Sequence, residues 1–100
     1  MSEIGIIEPA DVKRRLAQGE RLNVIDVRED EEVAAGMIPG AKHIPLGQLP
    51  ERHGEIVRSG EIVLVCRSGG RSGRACEYLQ SLGFDGLLNM SGGMLAWEQL

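Results

Sequence analysis

Glu61-Ile62-Val63-Leu64-Val65-Cys66-Arg67-Ser68-Gly69-Gly70-Arg71-Ser72 is the stretch on which the fold turns. Ile62 to Val65 form a continuous apolar run, the pattern of a strand buried on both faces in a parallel sheet. Two adjacent glycines break that run just after Cys66. From Ser72 to Leu82, the residues Ala75, Cys76, Leu79 and Leu82 recur at helical spacing, and Gly83 stops them. Downstream, Leu87-Leu88-Asn89 reads as a last strand. Met90-Ser91-Gly92-Gly93 then leads into a final helix carrying Met94, Leu95, Trp97 and Leu100.

Upstream, Leu22–Val27 repeats the doubly buried strand pattern. Glu29–Ala35 is a short helix ended by Gly36, Ile38-Pro39-Gly40-Ala41 a turn, and His43-Ile44-Pro45 a short edge strand. Leu46 to Arg58 is loosely helical. At the start, Ile4–Ile7 forms a short strand before a helix with Pro9 in its first turn. Val12, Leu16 and Ala17 supply that helix's stripe, and Gly19 ends it. Strands alternating with helices over short links predict an α/β fold, a mainly parallel central sheet of about five strands with helices on both faces.

The 100 residues suffice for one compact domain, expected to span 1–100. Hydrophobic residues at 42% and charged ones at 26% describe an ordinary globular chain. Aromatics are only 3%, so aliphatic side chains must fill the core and stacked-base recognition is excluded. A net charge of −4 and a pI near 5.1 argue against nucleic acid and membrane surfaces as partners. That charge is unevenly placed. Residues 1–32 hold nine acids, whereas 62–76 hold Arg67, Arg71 and Arg74 and no acid, which suggests a small anionic ligand. Cys66 and Cys76 are too few for a disulfide scaffold and lack metal-type spacing, so no metal is expected. With no signal peptide and no membrane-length apolar run, a cytoplasmic location is expected.

In a parallel sheet, ligands collect at the carboxyl ends of the strands. Two polar clusters fall there: Asp26-Val27-Arg28, and the loop Cys66-Arg67-Ser68-Gly69-Gly70-Arg71-Ser72. Glycines let a loop turn its N–H groups inward as an anion nest. The following helix, capped by Ser72 or a neighbour, adds partial positive charge, and Arg67 and Arg71 add full charges. All of these favour thiolate over thiol at Cys66. A drop of two units from about 8.5 would raise the thiolate fraction at neutral pH from about 3% to about 75%. The plain alternative for Cys66 is a small buried hydrophobe.

The remaining candidates read as structural. Cys76 lies on its helix's apolar stripe, and His43 and His53 suit solvated or hydrogen-bonded surface roles. The run Glu29–Glu32 reads as a solvated first turn, Trp97 as core, and Gly92-Gly93 as a tight turn. Asp26 and Arg28 suit bracing of the loop, with Arg28 pairing Glu32 or another acid.

Arg71 follows Cys66 after four intervening residues, where a cysteine phosphatase places five and then arginine. The shorter loop makes a smaller cradle, suited to one added sulfur more than to a phosphoryl group. The chain resembles the rhodanese family of sulfurtransferases in three ordered places. These are the loop Cys66 to Ser72, the upstream Asn23-Val24-Ile25-Asp26-Val27-Arg28-Glu29 with Gly36-Met37-Ile38-Pro39-Gly40-Ala41, and Gly92-Gly93-Met94-Leu95-Ala96-Trp97. Met37 stands where the family usually has histidine, a change expected to bear on local packing.

The resemblance implies a single rhodanese domain and a ping-pong reaction. Cys66 would take the outer sulfur of thiosulfate or a similar small anionic donor as a persulfide, with no cofactor. Arg67 and Arg71 would hold the donor's sulfonate. Cyanide, a cellular thiol or a sulfur-relay protein would then accept the sulfur. Three other readings remain at this point: a rhodanese-like binding or regulatory module, a phosphatase or arsenate reductase, and a redox sensor.

Overall fold

In the computed structural model, residues 3–100 are described. Five strands, β1 (Gly5–Ile7), β2 (Asn23–Asp26), β3 (Lys42–His43), β4 (Ile62–Val65) and β5 (Leu87–Met90), form one sheet in the order β1-β5-β4-β2-β3. Every pairing is parallel. The helices are α1 (Pro9–Ala17), α2 (Asp30–Val33), α3 (Leu49–Arg52), α4 (Gly70–Ser81) and α5 (Gly93–Trp97). The loosely helical segment resolves into α3 between two 3-10 turns, Leu46–Gln48 and His53–Glu55.

Strand period two divides the core into two layers. Ile62, Leu64 and Cys66 face one side and pack with Leu49 of α3 and Ala75, Cys76 and Leu79 of α4. Val63 and Val65 face the other, against Val12 of α1 and Met94 of α5. All four residues of β4 are buried, as a central parallel strand requires. Trp97 packs against the second layer, as its sequence position suggested.

Some helix readings need correction. Helix α4 starts at Gly70, two residues before the expected Ser72, because Gly69 takes the N-cap position with φ of 108°. Ser72 therefore does not cap the helix; it lies buried inside the first turn. Leu82, Leu95 and Leu100 are exposed, beyond or on the outer side of their helices.

From β2 the chain steps outward to β3, then returns to the other side of β2 to lay down β4 and β5. The strand order thus reverses between β2 and β4, where ligands of open α/β sheets bind. Asp26 pairs in register with Val65, and Leu64 with Asn89. The carboxyl ends of β2, β4 and β5 therefore bring Arg28, Cys66 and Asn89 to one crevice. No helix among the described residues is long and apolar enough to cross a membrane.

Candidate active site

Cys66 ends β4 as a free, buried thiol. The loop folds over it at once: the Gly69 N–H donates to Cys66 Sγ at 3.0 Å, and the Ser72 hydroxyl lies 3.3 Å from the same sulfur. First-turn N–H groups have no partner inside their own helix, so the start of α4 has donors to spare for an anion. Gly69 supplies the left-handed bend that turns the chain from strand to helix within three residues of Cys66.

Helix α5 holds the loop from the opposite side. The Met94 N–H donates to the Cys66 carbonyl at 2.8 Å, and the Leu95 N–H to the Arg67 carbonyl at 3.0 Å. In a trans peptide the N–H points opposite to the C=O. Anchoring these two carbonyls on α5 therefore turns the N–H groups of Arg67 and Ser68 toward the loop's interior. Gly93 permits the close approach. A β-carbon there would stand 2.4 Å from the Arg67 carbonyl, and its φ of 58° is already left-handed. What reads in sequence as a turn-forming glycine pair is a seat for the Cys66 loop.

Burial is the largest single influence on Cys66, and it pushes the thiol up. Against it stand the inward N–H groups of Ser72, Gly69 and Ser68, and the thiol lies below its ordinary range. The direction agrees with the sequence reading; the agents differ. The Arg71 guanidinium forms a two-pronged pair with Glu32 at 2.6 and 2.8 Å, while its charge still reaches Cys66. Hydrogen bonds, more than arginine charge, set this sulfur's acidity.

The Glu29–Glu32 run is likewise more than a solvated turn. Glu32 accepts from the Glu29 N–H at 2.9 Å in a capping box. The Arg71 guanidinium, aided by that N–H, holds the Glu32 carboxyl down at about 2. Arg28 does not pair with the Glu32 carboxylate. It pairs with Asp26, both buried, at 2.8 Å, and donates onward to the Gly36 carbonyl at 2.7 Å and the Glu32 carbonyl at 3.3 Å. The His43 ring donates from Nε2 to the Arg28 carbonyl at 2.7 Å. Asp26 and Arg28 thus brace the loop at one remove: they fix α2, and Glu32 of α2 fixes Arg71.

Asn89 escaped the sequence reading of the site. Its Nδ2 donates to the Gly69 carbonyl at 3.0 Å, and its Oδ1 accepts from the Ser72 hydroxyl at 2.5 Å. A signal existed, since Asn89 is a polar residue closing an apolar strand at its carboxyl end, as Asp26 is. The Glu32–Arg71 pair, 39 positions apart, had no comparable signal.

Arg67 stays exposed and forms no ion pair among the described residues. With Met94, Leu95 and Glu98 it lines a pocket of about 200 Å³ beside the loop. Met37 lines a neighbouring groove with Met94 and Trp97, consistent with a packing role.

Comparison with known proteins agrees with this geometry. Residues 8–100 match the family described as Rhodanese-like domain. The Bacillus subtilis protein YtwF is 49% identical over 96 residues, covering 96% of this chain and 92% of that protein. A sulfurtransferase of Allochromatium vinosum is 41% identical, covering 93% of this chain and 87% of its own length. The crystal structure of a rhodanese-like domain protein from Staphylococcus aureus is similar with a TM-score of 0.87 at 36% identity, covering 94% of this chain and 91% of that one.

Proposed function

We propose that this chain, which belongs to the rhodanese-like domain family, is a sulfurtransferase that carries sulfane sulfur on Cys66. The observation that carries the reading is a buried cysteine sulfur that accepts the Gly69 N–H at 3.0 Å and is held by a glycine-bent loop at the start of a helix. Such a cradle stabilises an anionic sulfur before and after it gains a second sulfur.

In the first half-reaction the Cys66 thiolate attacks the outer sulfur of thiosulfate or a similar donor. The donor's S–S bond breaks, its electron pair leaves with sulfite, and a Cys66 persulfide anion remains. In the second, a nucleophilic acceptor attacks the outer sulfur and Cys66 departs as thiolate. Two displacements replace one transfer, with no external oxidant or reductant. Arg71 is held by Glu32, so charge-assisted binding of the donor's sulfonate falls to Arg67. A phosphatase reading is weaker, because its cradle would be one residue short and the loop's second arginine is already engaged.

The test is intact mass after incubation with thiosulfate, and again after cyanide, for the natural chain and Cys66→Ser. The reading expects one sulfur gained by the natural chain only, then lost as thiocyanate. If thiosulfate fails, polysulfide is the next donor. No sulfur on Cys66 from either would overturn the reading in favour of a binding module.

A further inference from the structure

Ser72 has one hydroxyl proton and two acceptors within reach, Cys66 Sγ at 3.3 Å and Asn89 Oδ1 at 2.5 Å. Two oxygens 2.5 Å apart repel unless a hydrogen lies between them. The Asn89 amide cannot be turned over to relieve this. Its Nδ2 donates to the Gly69 carbonyl at 3.0 Å, and a flip would set two carbonyl oxygens against each other there. Asn89 Oδ1 must therefore face Ser72, and the Ser72 proton must lie toward Asn89. That leaves Ser72 Oγ presenting lone pairs to the sulfur.

We propose that Asn89 is a positioning residue that holds the Ser72 hydroxyl proton away from Cys66 and so keeps the thiolate less solvated and more nucleophilic than its surroundings alone would make it. A thiolate loses intrinsic nucleophilicity as its donors multiply and its proton affinity falls, so the best attacking thiol is one that is only just ionised at working pH. The backbone N–H groups of Ser68, Gly69 and Ser72 supply ionisation. Asn89 prevents a further donor from overdoing it. The consequence for catalysis rests on Cys66 being the nucleophile of the proposed reaction, but the ionisation itself can be read without turnover.

The test titrates Cys66 by the pH dependence of its alkylation rate, with Cys76 silent because burial pushes it up to about 12. The charged groups on the elements packed around the sulfur are Arg67 and Arg71 of the loop, Arg74 and Glu77 of α4, Glu29 and Glu32 at α2 and the Asp26–Arg28 pair beyond β2. β5 contributes uncharged Asn89, and the end of α5 contributes Glu98, which lines the neighbouring pocket. None of these charges changes in the variants.

Asn89→Ala frees the Ser72 proton for sulfur, so the apparent pKa should fall by about half a unit to one unit. If Asn89 merely props the Gly69 carbonyl, its loss loosens the cradle and the pKa rises, which overturns the proposal. Ser72→Ala should leave the pKa unchanged or lower in the natural background, yet raise it in the Asn89→Ala background. A rise of the same size in both backgrounds would show that Ser72 donates to sulfur regardless of Asn89. Should Asn89→Ala fail to fold, Ser72→Ala alone decides: a rise overturns the proposal. Absence of sulfur transfer from any donor would remove the proposed reaction and leave these shifts standing.

Discussion

Cys66 and Cys76 lie ten positions apart, border the same core layer and are both almost fully buried, at 1% and 0% exposure. Their acidities nevertheless diverge. Burial, with some help from Glu77, drives Cys76 up to about 12, while Cys66 moves below its ordinary value against the same opposition. The two differ in donors. Cys76 sits mid-helix, where every backbone N–H is committed to the carbonyl four residues back. Cys66 sits where a strand has ended and a helix has not yet closed its first turn, so N–H groups are free to face it. Burial sets the penalty for charge at both cysteines, and unspent backbone donors decide whether it is overcome.

The largest test removes one side of this contrast. Cys66→Ser should abolish sulfur transfer and almost all alkylation at neutral pH, because a thiol near 12 is ionised to only about one part in 100,000 there. Rapid labelling of the variant would mean that Cys76 is not the inert partner described. Next in size is the scaffold that aims the donors. Arg28→Ala leaves Asp26 as a buried unpaired charge and should cost about 3–5 kcal/mol in denaturant unfolding.

Gly93→Ala strikes the loop more directly, since its β-carbon would occupy the Arg67 carbonyl. As α5 withdraws and the inward N–H groups lose their aim, Cys66 should behave more like Cys76, with neutral-pH alkylation down about tenfold. Unchanged labelling would show that the α5 contacts do not orient the cradle.

Glu32→Gln is milder. Because the folded state lowers the Glu32 carboxyl from 4.5 to about 2, the stability it adds is full above 4.5 and lost as pH falls through that window. The natural chain should exceed the variant by about 0.5–1 kcal/mol near neutral pH and by nothing near pH 2. A gap independent of pH would point to packing rather than charge. Smallest in its effect on chemistry, Cys76→Ala should leave the Cys66 titration and sulfur transfer unchanged. Its cost is about 1–2 kcal/mol for the vacated core volume.

Much of this was legible along the chain because it is local. Ile62–Val65 announces a central parallel strand by its own composition, and the stripe of Ala75, Cys76 and Leu79 announces the helix that covers it. The glycines beside Cys66 announce a loop able to turn N–H groups inward. Arg71 was legible only in part: its charge does act on Cys66, but its guanidinium is also paired with Glu32, which comes from a helix far upstream. Of Ser72 or a neighbour as the helix cap, the structure chooses the neighbour Gly69, whose left-handed backbone makes the turn without any side chain.

Sequence alone determined the strand–loop–helix unit, the cysteine it presents and the sign of that cysteine's acidity shift, since each follows from neighbours a few residues apart. Tertiary structure decided which groups act on the sulfur. Parallel register set Asn89 and Arg28 on either side of it, α5 oriented the loop amides through Gly93, and α2 paired Arg71 with Glu32. Hydrogen bonds and ion pairs act over a few ångströms and depend on direction. Their partners are therefore chosen by where the fold brings distant residues together, which no local pattern encodes.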